Sequence, residues 1–322
     1  MPFTLSHPAA VLPFLRAGRA RGPWIGSALA AGSIAPDVPF FADSLVRGTY
    51  GFGRVTHSVW GVPTVDVAIA AALAAAWHGL LREPLTALLP GRWADAADAL
   101  TAPAGRPFDA RAAGWFAVSA AVGAATHVGW DAFTHGGRLG ERLLPVLGAT
   151  VHGMPLYSLL QYGCSAAALG LLGWYVPHAL RRADPAGSKG RTVGATSGER
   201  AATNRIGKSH DGMSGGVEPE DGAGEGVGRE PWGAAGGRTP RRRTRLSGRG
   251  RAAVAALVAA AAVAGAAQRV AGWTTGPLSR ARPLDLVPLV AFGGGAGTAV
   301  GLGCYAVAVR LRDACRPSEQ AG

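Results

Sequence analysis

Three residues near the middle of the chain are spaced for metal chemistry: His127, Asp131 and His135. A spacing of four stacks side chains on one helical face about a turn apart, so an imidazole and a carboxylate can close on one cation. His135 lies a turn further on, against Gly136 and Gly137, where a helix should stop. It serves the same ion, a neighbouring ion, or proton donation. The competing reading is a set of polar residues at an interfacial helix end. Against it stands the cost of an ionised carboxylate in an apolar run, where ionisable groups are functional by default.

Three more residues can join this pair. Asp37 follows Pro36 and precedes Val38-Pro39, where restricted backbone suits a placed ligand or a group that takes a proton from water. His57 stands in Thr56-His57-Ser58, just before a long apolar run, and His7 lies near the start. Taken singly, each is explained as well by a turn or an interfacial polar residue. Their joint placement is what carries weight, because the topology below puts His7, Asp37, His57, Asp131 and His135 on one side of a bilayer. His152, Asp43 and Asp66 are weaker candidates, and Asp66, nine residues past His57, should face away in an uninterrupted helix. His78, His178 and His210 fall on the opposite side. A hydroxyl residue precedes four histidines (Ser6-His7, Thr56-His57, Thr126-His127, Thr134-His135), which reads as capping or as hydrogen bonding behind the ring.

The elements that must position these groups are long apolar runs. A bilayer crossing needs about 20 residues, and five runs qualify: Val62 to Leu81, Ala112 to Phe133, Leu156 to Val176, Ala252 to Trp273 and Leu284 to Val309. Tryptophans near their ends fit an interfacial belt. Ahead of them, His7 to Gly18 and Trp24 to Pro36 are each about a dozen residues, roughly 18 Å as helix. Neither spans alone, so a short helical hairpin is expected, turning at Gly18 to Pro23 and returning Asp37 to the level of His7.

Composition agrees. Of 322 residues, 48% are hydrophobic and 16% charged, too few charges to cover a water-soluble fold of this size. Residues 178–251 hold 15 of the 32 Lys and Arg, so this basic Gly/Ser/Arg-rich segment reads as a disordered cytoplasmic loop able to touch anionic lipid. Its only aromatic is Trp232, which gives nucleic acid little to stack on. The three cysteines form no CxxC pair, and no nucleotide-binding or nucleophile-elbow motif occurs. The expected fold is an all-α polytopic bundle in three parts: a core over 1–177, the loop over 178–251, and two further spans with a basic tail over 252–322.

Several segments together resemble the bacterial "domain of unknown function 4184" membrane family. They are Met1 to Pro13, Gly32 to Asp37, Thr56 to Ser58, Thr126 to His135 and Val151 to Gln161, covering roughly residues 1–177. The pattern is also similar to inner-membrane metal-dependent hydrolases and, more remotely, to zinc-dependent phospholipase C and related nucleases. That resemblance implies zinc held by an N-terminal histidine, an aspartate, a second histidine and a His-x3-Asp helix pair. By position these are His7, Asp37, His57, His127 and Asp131. The soluble enzymes add a second helix pair that this chain lacks, so one or two divalent ions are expected rather than three.

The resulting expectation is a zinc-type hydrolase of phosphoester bonds in lipid or lipid-linked substrates, in the bacterial cytoplasmic membrane, with its site facing outward. His7, His57, His127 and Asp131 would be ligands, Asp37 a ligand or base, and His135 a ligand or proton donor. A non-enzymatic metal carrier or sensor, or a structural membrane protein, are the alternatives.

Overall fold

The computed structural model describes residues 3–102, 109–183, 246–273 and 283–315. Most of the expected basic loop (184–245) and His210 lie outside the described residues. The chain is all-α apart from two tiny antiparallel ladders. Its helices are α1 (Gly26–Gly32), α2 (Val38–Ala42), α3 (Gly53–Thr56), α4 (Val65–Ala87, with a π-helical turn at Trp77–Leu81), α5 (Gly91–Thr101), α6 (Ala110–Thr134), α7 (Leu139–Leu143), α8 (Leu156–Ala183), α9 (Gly248–Trp273) and α10 (Pro283–Ala314).

All five expected long helices form, and four of them are long and apolar enough to cross a membrane: α4, α8, α9 and α10. The fifth, α6, is the inner helix of the bundle. Ser119, His127, Asp131 and Thr134 dilute its apolar character, and all four are buried. Its partner is α1. A Cβ at Gly32 would collide with the Ala120 carbonyl, and one at Gly123 with the Leu29 carbonyl, so these glycines let the two backbones touch. The core around them is built of small side chains, Ala28, Ala31, Ala35, Ala70, Ala74 and Ala120, with Ile25 and Phe116. In a bilayer, where lipid is as apolar as leucine, such close backbone packing is what joins helices.

The N-terminal hairpin exists, but its first arm is a 3-10 helix, Thr4–Phe14. Pro8 and Pro13 have no N–H to give an α-helical ladder. At a rise of about 2.0 Å per residue, the eleven residues reach about 22 Å, further than the expected arm. The chain reverses earlier than the sequence indicates, through the Leu15–Arg16/Arg19–Ala20 ladder, with Ala17 and Gly18 at φ 51° and 82°. At this tip Gly18 N donates to Tyr175 Oη (3.0 Å) and Arg19 to the Ala99 carbonyl (3.1 Å). The hairpin therefore runs the depth of the bundle and leaves His7 and Asp37 at the opposite end.

Helices α9 and α10 pack tightly on each other through Gly265, Gly293 and Gly297. They join the core at both ends. Phe292 packs on Phe40 (5.5 Å) and Phe41 (5.1 Å), Arg269 reaches Asp43 (3.3 Å) and the Ser44 hydroxyl (2.8 Å), and Arg310 pairs with Glu83 (2.7 Å).

Candidate metal centre

Three segments deliver four side chains to one point. Asp37 ends the short 3-10 turn Ala35–Asp37, His57 follows α3, and His127 and Asp131 lie a turn apart on α6. One ligand atom from each lies within 4.8 Å of every other. His57 Nε2 is 3.5 Å from Asp37 Oδ1 and 3.5 Å from Asp131 Oδ2, and His127 Nε2 is 3.4 and 3.7 Å from the same oxygens. Ligands about 2.0–2.1 Å from a tetrahedral zinc stand about 3.4 Å apart along each edge of the tetrahedron. The quartet thus has the dimensions of a single ion.

The surroundings prepare those atoms. His127 Nδ1 meets the Ser33 carbonyl (2.8 Å) and His57 Nδ1 the Gly53 carbonyl (2.9 Å), so each ring carries a hydrogen on Nδ1 and turns Nε2, the atom a metal would take in place of a proton, inward. Thr4 Oγ1 donates to Asp37 Oδ2 (2.5 Å), leaving Oδ1 for the centre. Asp37 and His127 are 0% exposed, Asp131 2% and His57 8%. Yet Asp37 Oδ1, Asp131 Oδ1, His127 Nε2 and His7 Nε2 are buried without a hydrogen-bond partner. Orphaned polar atoms at this density are costly unless something else satisfies them. A divalent cation within the quartet would satisfy Asp37 Oδ1 and His127 Nε2, and two imidazoles with two carboxylates are a donor set zinc accepts.

His7 stands beside the quartet. Its ring stacks on His127 (centroids 3.7 Å apart) and its Nε2 is 3.7 Å from Asp131 Oδ1, the oxygen turned away from the other three ligands. His135 sits at the rim, 24% exposed, with Nδ1 near the Asp131 carbonyl (3.3 Å) and Nε2 3.1 Å from the Gln161 amide nitrogen. Both of its ring nitrogens face protein groups, so in this arrangement it is a neighbour of the centre and not a ligand. The six sequence candidates thus divide into four that converge, one stacked beside them and one at the edge.

The charges explain how the polar set tolerates burial. Burial alone would lower His57, but Asp131 and Asp37 on either side outweigh it and raise the imidazole to about 9. His7 moves the other way: burial, reinforced by His127, pulls it down to about 3, so it is neutral. Burial pushes the Asp37 carboxyl up, but His127, His57 and the Thr4 hydroxyl together hold it well below the usual carboxylate range.

The hydroxyl residues before the histidines have one common job. Each hydrogen-bonds a backbone carbonyl three or four residues earlier: Ser6 to Phe3, Thr56 to Gly53, Thr126 to Gly123 and Thr134 to Trp130. Thr56 also bonds the Pro36 carbonyl (2.7 Å), tying the His57 turn to the Asp37 turn.

Other candidates settle elsewhere. Asp43 accepts from the Gly48 and Tyr50 amides and pairs with Arg269. His152 is exposed, at positive φ in a hairpin turn. His178 stacks on Trp174 at the far end of α8. Asp66, expected to face away, is instead fully buried in the first turn of α4, with neither carboxylate oxygen hydrogen-bonded and its charge coupled to His57 and His127. Sequence reasoning also passed over the polar stripe of α8. Tyr157, Gln161 and Ser165 recur every four residues, and the stripe abuts Gly136, His135 and Ser6. That spacing was the available signal.

No curated protein and no solved structure matches the chain. A family described as "Domain of unknown function (DUF4184)" matches over residues 1–209, a stretch that holds the whole centre and excludes α9 and α10. The chain belongs to that family.

Proposed function

We propose that this is a multi-pass protein of the bacterial cytoplasmic membrane whose buried His/Asp quartet holds one zinc-type ion and hydrolyses phosphoester bonds in lipid or lipid-linked substrates. One observation carries the reading: the unpartnered buried atoms Asp37 Oδ1 and His127 Nε2 meet His57 Nε2 and Asp131 Oδ2 at the separations of a tetrahedral set. When bound, such a metal supplies a water ionised near neutral pH and positive charge for a phosphate oxygen. Asp37, His57, His127 and Asp131 would hold it, and the Ser33 and Gly53 carbonyls keep both imidazoles turned inward. His135, the exposed edge of the group, is placed to give a proton to a leaving oxygen from Nε2. The Gln161 amide can follow this change, donating its N–H to a bare Nε2 or accepting from Nε2–H through its carbonyl. Around this end Val59 (83%), Trp60 (81%), Trp130 (46%) and Phe133 (42%) are exposed, an apolar collar that suits a substrate arriving from lipid.

The orientation follows from the basic loop, which places residues near 210 in the cytoplasm and those near 145 outside. Reporter fusions at the two positions test it, and an outside signal at 210 overturns it.

A second reading is a metal-binding protein with no hydrolytic step. The near-complete burial of the quartet favours it, because structural metal sites are closed and catalytic ones keep an open position. Metal analysis of the purified protein, with turnover of a generic phosphodiester such as bis(4-nitrophenyl) phosphate, separates the two. Bound metal with turnover that vanishes in Asp131→Asn supports hydrolysis. Bound metal with no turnover of lipid or generic phosphoesters supports the second reading, and absence of metal removes both.

A further inference from the structure

A slot runs between α9 and α10 at the end of the bundle opposite the metal centre, with a volume of about 490 Å³. It exists because the contact glycine of α9, Gly265, is preceded by alanines too short to fill the space beside them. Ala255, Ala259 and Ala262 form its floor, Val254, Val258 and Leu302 its walls, and Leu88 closes one side. From Arg251 to Ala262 it follows α9 for about 16 Å, half the ~30 Å hydrocarbon thickness of a bilayer.

Its charge is one-sided. Arg251 lines one end, Thr298, whose hydroxyl donates to the Gly294 carbonyl, lies toward the other, and among the described residues no acid lines any part. The Arg251 guanidinium donates one N–H to the Leu246 carbonyl (3.1 Å), which holds the charge at the amino end of α9. The nearby acid Glu83 is already engaged by Arg82 and Arg310. A slot of this volume is too narrow for a second helix, whose diameter with side chains is about 10–12 Å. One apolar chain fits, with an anion at its Arg251 end.

We propose that this slot holds one acyl chain of an anionic phospholipid, with the lipid phosphate on Arg251. It is independent of the metal centre and of the hydrolytic reading, and it lies on helices outside the matched family region. The lipid would wedge α9, which packs on little besides α10, against the core at Leu88.

Native mass spectrometry of the detergent-solubilised full chain, titrated separately with phosphatidylglycerol and phosphatidylcholine, tests this. One phosphatidylglycerol should bind first, at least fivefold tighter than phosphatidylcholine. Arg251→Gln should bring the two lipids within twofold of each other, and Ala259→Phe should abolish the first tight event. Ala260→Phe, on the opposite side of α9, should behave as wild type. Equal binding of both lipids by wild type, or an unchanged preference in Arg251→Gln and Ala259→Phe alike, would mean only annular lipid and overturn the proposal. So would a gain in phosphatidylglycerol binding that needs only deletion of residues 186–245 and ignores Arg251→Gln, because the slot would then belong to the chain's own loop. Ala259 is solvent-exposed and Arg251 lies at a helix end, so neither change threatens the fold.

Discussion

Asp131→Asn is the sharpest probe of the metal centre, because it removes a charge and a ligand oxygen while keeping the shape of the side chain. In the metal-free protein Asp131 Oδ2 lies 3.5 Å from His57 Nε2. At an effective dielectric near 20 a charge pair at that distance attracts by about 5 kcal/mol. Most of that is offset by desolvation, and Asp37 remains at the same distance on the other side of the ring. A net loss of about 1–3 kcal/mol is expected. The metal-linked part is separate. Zinc at a hundred times its dissociation constant stabilises the native protein by about 2.7 kcal/mol, which raises the melting temperature by roughly 4 °C for a chain of this size. Thermal melts of both proteins, with chelator and with added zinc, resolve the two effects. Wild type should show the zinc-dependent rise and the variant should lose nearly all of it, with metal content falling from one per chain to near zero. If the variant keeps the full zinc shift, the quartet is not the binding site. If wild type shows no shift and carries no metal, there is no site.

Three other outcomes are expected. His57 sits at about 9 in the folded protein against 6.5 unfolded, so its contribution to stability is complete below pH 6.5 and fades as pH rises to 9; metal needs its Nε2 bare, and calorimetry should show zinc affinity rising by about fiftyfold between pH 7 and 9. His135→Ala should leave one metal per chain yet slow phosphodiester hydrolysis by roughly 10²–10⁴; loss of metal would make it a ligand. Arg269→Ala removes the contacts to Asp43 and Ser44 and should lower thermal stability by about 1–3 kcal/mol with metal content unchanged.

The cluster was legible because two of its members share one helix: His127 and Asp131 stand a turn apart on one face, and once they were placed at a helix end, topology put Asp37 and His57 on the same side. What the sequence hid were relations between segments. Residue averages cannot tell a helix that faces lipid from one surrounded by other helices, so the apolar run gave no sign that α6 is the inner helix, which the buried Gly123, Ser119 and His127 mark. Asp66 was misjudged for a different reason. Its offset from His57 has helical meaning only in continuous helix, and residues 58–64 form turns, with Thr64 at φ −120° and ψ −82°. That break re-aims the carboxylate inward. The 3-10 arm was legible in principle, since Pro8 and Pro13 forbid a continuous α ladder, but its extra length appears only when each residue is given 2.0 Å rather than 1.5 Å.

The charge of the centre decides which cation belongs there. Asp37 is held ionised, and with Asp131 it makes two fixed carboxylates at the heart of a bundle whose core is otherwise alanine, glycine and a few larger apolar groups. Such charges cannot stand alone in a low-dielectric interior. Without metal, protons on the imidazoles provide the balance, which is why His57 keeps its proton two units above neutrality. With the imidazoles neutral, one divalent ion cancels two carboxylates, a monovalent ion leaves a negative charge buried, and a trivalent ion leaves a positive one. The same arithmetic limits the quartet to a single ion. A second divalent ion would need two more negative charges within reach, and among the described residues Asp66 is the one further acid whose charge couples to the site histidines. Metal binding at a centre of this charge would exchange protons for one divalent cation, and its affinity and stability would both move with pH.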